Sequence, residues 1–252
     1  MMKKMIAIMQ PTYMPWMGYF SMIDQVDTFV FLDNVQLAGR SWQVRNKIKW
    51  NDQEKMLTIP IDKSVGRDDR MIYNTPYMDE TWKRSHLGTI QQAYRKSPFY
   101  SDVMGFLNAL YDKEYHSIGN MNITLISEIC KRIGIDTPMY SASELQANGH
   151  KDSLLVEICQ VLKADAYLSA QGSAAYIEKD TAGGEFSKQA IELFYLNYEH
   201  PIYRQQGDVF IPYIGIYDLL FNVGPEEALV YIRKGNRQNY TCEEYRRDIL
   251  QM

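Results

Sequence analysis

Met5-Ile6-Ala7-Ile8-Met9-Gln10-Pro11-Thr12-Tyr13-Met14-Pro15-Trp16-Met17-Gly18-Tyr19-Phe20 is an apolar run that breaks into a loop with two prolines and reopens as an amphipathic segment. Met5 to Met9 is too short for a globular helix and rich enough in Ile for a buried strand. Pro11 and Pro15 bias the residues before them away from helical geometry. From Trp16 the positions Trp16, Phe20 and Ile23 recur at helical spacing until Asp27, and Thr28-Phe-Val-Phe-Leu32 is a second apolar run. Strand, loop, helix, strand predicts an α/β fold with parallel strands. In such a fold the first turn lies at the carboxyl edge of the sheet, where ligands bind.

The same alternation returns further along. Lys55 to Ile61 reads as the return arm of a hairpin, Met139-Tyr-Ser as a short strand, and Ala166-Tyr-Leu-Ser-Ala170 and Ile191 to Tyr198 as buried strands. Lys151 to Lys163 is an amphipathic helix with Leu154, Leu155, Ile158, Val161 and Leu162 on one face. Asp79 to Tyr94, Pro98 to Tyr111 and Ile118 to Ile133 repeat at helical spacing, and form a helical insertion at about residues 76–134. His86, alone on the first of them, reads as a packed or surface residue. Pro212 to Phe221 is expected to be a helix with proline at its start, and the tail from Pro225 one more helix with a charged end. With no repeat and no low-complexity linker, residues 1–252 read as one Rossmann-like domain, a mostly parallel sheet flanked by helices.

A chain of 252 residues, 46% hydrophobic and 23% charged, can bury a core without disulfides. Its net charge of −4 gives no reason to expect a stable nucleic-acid partner. Cys130, Cys159 and Cys242 lack metal-ligand spacing and read as reduced thiols of a cytoplasmic protein, the first two buried. The apolar stretch after Met1-Met-Lys-Lys is shorter than the roughly 7–15 residues of a signal core, and nothing approaches the roughly 20 apolar residues of a membrane span.

Arg40-Ser-Trp42-Gln43-Val-Arg45-Asn46-Lys47-Ile-Lys49-Trp50 gathers four cations and two tryptophans, and on a strand Arg45, Lys47 and Lys49 share one face. Such a face beside aromatic rings suits the diphosphate of a nucleotide sugar; it equally suits an edge strand protected by charge. Asp33 follows the second strand and reads either as a group that orients a histidine or sugar hydroxyl, or as a cap. Gln10 offers an amide donor and acceptor to a ligand or to its own loop. Gln171-Gly-Ser-Ala-Ala-Tyr176 is a second small-residue loop at a strand end, where backbone amides could meet a ligand.

These segments together resemble the WbqC-like family: Met9-Gln-Pro-Thr-Tyr-x-Pro-Trp-x-Gly-Tyr-Phe20, Arg40-Ser-Trp-Gln-x-Arg-Asn-Lys-Ile-Lys49, Tyr167-Leu-Ser169, Tyr198-x-His-Pro201, and Phe210-Ile-Pro-Tyr-x-x-x-x-Asp-Leu-Leu-Phe-Asn222. The resemblance runs nearly the whole chain. It implies a bacterial protein, often encoded beside genes for O-antigen and other surface polysaccharides, and a role in adding glycine to an amino sugar. The opening alone is also similar to nucleotidylyltransferase-type α/β domains, which carry two histidines at the helix start. Trp16 and Tyr19 stand there instead, so phosphate charge would have to be met by Arg40, Arg45, Lys47 or Lys49.

The expected chemistry is acyl or aminoacyl transfer onto the amine of a nucleotide-linked amino sugar. It needs a base for the amine proton and donors for the carbonyl oxyanion. His200, after a strand and before Pro201, is the candidate base, with Asp33 as its catalytic companion and a buttress of the turn as the competing role. Gln10, Tyr13, Trp16, Arg40, Trp42, Arg45, Asn46, Lys47, Lys49, Ser169 and Tyr203 form the expected substrate site. The donor stays open between ATP with a free acid, an acyl thioester and aminoacyl-tRNA, as does oligomeric state. A sugar-nucleotide binding or scaffolding protein is the alternative, because no catalytic triad, metal cluster or phosphate-cradling glycine motif excludes it.

Overall fold

A computed structural model describes residues 3–179 and 181–251. In chain order the elements are β1 (Met5–Met9), α1 (Met17–Asp24), β2 (Thr28–Phe31), β3 (Arg45–Trp50), β4 (Gln53–Thr58), α2 (Thr81–Tyr94), α3 (Tyr100–Tyr111) and α4 (Ile118–Ile133). They continue as β5 (Met139–Ser141), α5 (Asp152–Val161), β6 (Ala166–Ser169), α6 (Ala174–Ile177), β7 (Glu192–Tyr195), α7 (Tyr217–Val223), α8 (Pro225–Lys234), β8 (Tyr240–Thr241) and α9 (Cys242–Tyr245). The main sheet has the order β5-β2-β1-β6-β7-β8, parallel throughout except for β8, and β3–β4 is a separate antiparallel hairpin. This is the mixed, Rossmann-like α/β architecture that the opening predicts.

Alternation along β1 accounts for the two cores. Ala7 faces a core shared with α1 to α4, α7 and α8, whereas Ile6 and Ile8 face the opposite core against α5, α6 and α9. Both faces are therefore covered, and all three side chains are buried. The chain builds outward from β1 through β2 to β5, then crosses over through α5 to β6 on the other side of β1. β1 and β6 flank the point where strand order reverses, and ligands bind at the carboxyl ends of such strands.

Two expectations need correction. The helix expected from Pro212 begins only at Tyr217. Upstream, the Gly215 amide donates to the Lys47 carbonyl and the Ile216 amide to Pro15, both at 2.9 Å, and Tyr213 has φ +59. Amides tied to other segments cannot start a helical ladder. The tail also does more than end in a helix: β8 adds an antiparallel edge to β7, and α9 is closed by a capping box between Thr241 and Glu244. Cys130 and Cys159 are buried as expected, and burial pushes the Cys159 thiol up to about 12. No described helix is long and apolar enough to cross a membrane.

Candidate functional site at the carboxyl edge of the sheet

The loop from Gln10 to Trp16 has few internal backbone bonds, yet its carbonyls are satisfied from outside. Tyr19 Oη donates to Gln10 at 3.1 Å, Asn122 Nδ2 to Pro11 at 3.2 Å, and Ile216 N to Pro15 at 2.9 Å. Asn46, on the buried face of β3, donates to both Tyr13 and Met14, at 2.9 and 2.7 Å. The Tyr13 amide donates to the Trp42 carbonyl at 2.8 Å. Partners from β3, α4 and the segment before α7 thus fix the loop in advance of any ligand. Its Tyr13 side chain is buried, sharing hydrogen bonds with His86 Nδ1 at 2.8 Å and Tyr111 Oη at 2.5 Å.

On one side of this loop a cleft of about 940 Å³ opens at the carboxyl ends of β1 and β2. Gln10 forms its inner edge; Asn34 and Gln36 follow β2, the segment Ala147 to Lys151 leads into α5, and Tyr176 comes from α6 after β6. Gln10 Oε1 accepts from Gln43 Nε2, so one amide of the loop is locked to the hairpin. Tyr176 is 46% exposed, which leaves its ring face free for a sugar or base. His150 and Lys151 add polar groups beside the first turn of α5, and Glu157 holds that turn by accepting from the Asn148 and Gly149 amides. The sequence reading missed Asn34, Gln36, His150 and Lys151. Their one signal is position, in the loops that follow β2 and precede the amphipathic α5.

On the other side lies an aromatic cluster. Trp16 stacks on His200 at 6.2 Å between centroids, with planes at 21°, and meets Tyr198 and Tyr213 edge-on at 5.4 Å. Neither His200 nitrogen has a hydrogen-bond partner among the described residues, and burial pushes the imidazole down to about 4, so it is neutral at pH 7. Gly18 is required here, because a Cβ would fall 2.2 Å from the Trp16 ring, which Tyr198, His200 and Tyr213 prevent from retreating. Gly18→Ala is expected to expel Trp16 from the stack and destabilise the protein by about 1–3 kcal/mol. Red-shifted Trp16 emission, identified against a Trp16→Phe control, would report it; an unchanged spectrum would count against the packing.

The remaining expected residues fall in different places. The Asp33 carboxylate accepts from the Ser143 amide at 2.8 Å and hydroxyl at 2.6 Å, tying β2 to the turn after β5. Asp33 follows β2 and His200 follows β7, three strands apart or about 14 Å at ordinary strand spacing. Lys47 pairs with Glu54 at 2.7 Å and Lys49 with Asp52 at 2.9 Å, whereas the buried Arg45 Nε has no partner among the described residues. Arg40 and Trp42 are exposed. Ser169 is buried, its hydroxyl donating to Ala170 at 3.3 Å, and Tyr203 donates to the Asp218 carboxylate at 2.8 Å. Gln10 therefore lies in the cleft, Trp16, His200 and Tyr203 meet in the aromatic cluster, and Tyr13 and Asn46 hold the loop between them. Among the described residues no three His, Cys, Asp or Glu side chains gather as metal ligands.

The chain is 30% identical over 232 residues to an uncharacterized protein of Mycobacterium tuberculosis, covering 91% of this chain and 98% of the relative. No solved structure matches. The description of the WbqC-like protein family matches residues 10–230, from the first residue of the proline loop to the middle of α8, and the chain belongs to that family.

Proposed function

We propose that the protein transfers an acyl or aminoacyl group to the amine of a nucleotide-linked amino sugar bound in the cleft beside Gln10, in the building of O-antigen or another surface polysaccharide. The observation that carries this reading is the cleft itself: about 940 Å³ at the carboxyl edge of a parallel sheet, next to the strand reversal. Its size suits a sugar nucleotide, Tyr176 offers a stacking face, and Gln10, Asn34 and Gln36 offer amides to hydroxyl groups. His150 and Lys151, both in the lining, would meet the diphosphate.

In the chemical step the neutral amine attacks the acyl carbonyl and the C–N bond forms. The amine proton passes to the base, and the donor's leaving group departs with the proton it needs. His200 is neutral with both ring nitrogens unengaged, but they are buried under Trp16 across the proline loop from the cleft, so this role requires the amine to reach over the loop and Trp16 to turn aside. Burial among rings makes it a weak base, so proton transfer accompanies C–N bond formation instead of preceding it.

A nucleotide-linked amino sugar is expected to raise the melting temperature saturably, because it binds the native state, and free nucleotide to raise it less. Gln10→Ala and Tyr176→Ala should each weaken binding about tenfold with the fold retained. His200→Ala should remove turnover and leave binding intact. A response to ATP alone would favour a ligase, and silence from folded protein across the panel would sink the proposal. A second reading, a sugar-nucleotide binding protein without turnover, draws support from the engagement of Asp33 with Ser143 and the depth of His200. It predicts binding to the same cleft and no product.

A further inference from the structure

A separate cavity of about 200 Å³, lined among others by Lys49, Asp52, Tyr94, Gln206 and Asp218, shares no residue with the cleft beside Gln10. Asp218 lies in the first turn of α7 and is fully buried. Its Oδ2 accepts from Tyr203, and its Oδ1 has no partner within hydrogen-bond distance among the described residues. The Tyr94 hydroxyl and the Gln205 amide face the carboxylate from farther off. A buried carboxylate oxygen without a donor is destabilising unless something supplies one. Lys49 does not, because its ammonium is held by Asp52 at 2.9 Å and by the Val209 carbonyl. Asp52 is itself committed, accepting from the Asp208 and Val209 amides at 3.3 and 3.4 Å. Gly207 makes that approach possible, since at φ +81 an added Cβ would fall 2.1 Å from the Asp52 carboxylate. Two carboxylates and one ammonium thus face the cavity, and the ion pair leaves Asp218 unbalanced.

A neighbouring space of about 580 Å³ has the opposite character. Lys96, Arg204, Gln205, Gln206 and Asn222 line it, and its lining includes no acidic residue. Gln206 and Gly207 belong to both linings. Asp218 and Asn222 lie one turn apart on α7, with Asn222 Nδ2 donating to the Asp218 carbonyl at 2.8 Å, so the two linings are offset by about 6 Å along the helix.

We propose that a small aliphatic molecule binds across these adjoining spaces, with a primary ammonium at one end seated on Asp218 Oδ1, and an anionic group at the other held between Lys96 and Arg204, Gln206 turning aside to admit it. The ammonium supplies both the missing donor and the missing charge. An α-amino acid carries its charges on neighbouring carbons and is too short for a helical turn, whereas an aminoalkyl phosphate spans it. Binding is also coupled to pH. Burial raises the empty-state Asp218 above the usual carboxylate value, so protons compete with the ammonium at the acid end and binding tightens as pH rises. Of the other groups facing Asp218, Tyr94 and Tyr203 are pushed well above the ordinary tyrosine value and stay neutral, and hydrogen bonding from Lys49 holds Asp52 low and charged. The site does not depend on the nucleotide-sugar reading.

The test is calorimetry on the full chain with O-phosphoethanolamine, methylammonium and inorganic phosphate, at ionic strength fixed with tetramethylammonium chloride. O-Phosphoethanolamine should bind at least tenfold more tightly than either half, and methylammonium should bind saturably. Asp218→Asn should weaken both amines tenfold or more. Arg204→Ala, at an exposed position, should abolish the advantage of O-phosphoethanolamine and leave methylammonium unchanged. The proposal fails if wild-type protein gives no saturable response to the amines or binds phosphate as tightly as O-phosphoethanolamine. It also fails if folded Asp218→Asn keeps wild-type affinity.

Discussion

Asn46→Ala is expected to lower stability by about 2–5 kcal/mol, because it orphans two carbonyls at once and each buried polar group left without a partner costs about 1–3 kcal/mol. Asn46 is buried on the inner face of β3, and its one amide group holds both Tyr13 and Met14. Water cannot take its place without opening the contact between the hairpin and the proline loop. Against a typical total of about 5–15 kcal/mol, the loss is a large share of the folding free energy. Asn46→Asp is the sharper variant. It keeps the volume but turns the donor into an acceptor facing two carbonyls, so it should be at least as damaging at neutral pH. Urea denaturation of the two variants beside the wild type measures both effects. A loss below about 1 kcal/mol in Asn46→Asp would mean that the loop is held by its other partners, Asn122 and Ile216, and not by this amide.

That dependence also explains what the sequence made legible. β1, α1, β2 and the long α4 follow from periodicity, because burial on two faces or one face writes apolar runs of different spacing. Gln10 was recognisable as a candidate because it immediately follows the first strand and breaks its apolar run, and it lines the cleft. The start of α7 was not, since its delay is caused by hydrogen bonds to Lys47 and Pro15, residues remote in sequence. β8 spans two residues, too few for any period, and is defined by pairing with β7 alone. The cations of β3 were correctly placed along one strand, but their pairing with Glu54 and Asp52 depends on the register and turn of the hairpin. His150 and Lys151 sit in a loop with neither a glycine motif nor periodicity. Their place in the cleft follows from the crossover between β5 and β6, which local sequence does not encode. Trp16 and His200 likewise meet only because the chain returns to β1 after β7.

The second large effect expected is a loss of stability between pH 6.5 and 4 that originates at His86. Its ring is buried between Tyr13 and Trp82, with Tyr13 Oη 2.8 Å from Nδ1 and the Trp82 ring edge-on at 5.0 Å. Burial pushes the imidazole from 6.5 down to about 4, outweighing the Thr58 backbone contact that favours its proton. The folded state therefore binds this proton less readily than the unfolded chain. The contribution is fully present above pH 6.5, declines as pH falls, and is lost once pH passes through the folded value near 4. A displacement of this size corresponds to about 3 kcal/mol. His200 acts in the same direction, but the residue as a whole is only half-buried and opens to water more readily than His86, so its share is smaller. Asp52, Asp79 and Glu80 are held below their ordinary values of 3.8 and 4.5, and their loss falls at the acid end of the window or below it. Asp152 and Asp218 are raised by burial and run the opposite way, favouring the folded state as pH falls. The difference between wild type and His86→Gln isolates the histidine from these carboxylates. The variant should show a shallower decline in urea midpoint from pH 7 to 4.5, and the His86 ring proton should titrate near 4 by NMR. If that resonance titrates near 6.5, or if the two decline curves run parallel, the buried tyrosine–histidine contact is not the origin of acid sensitivity.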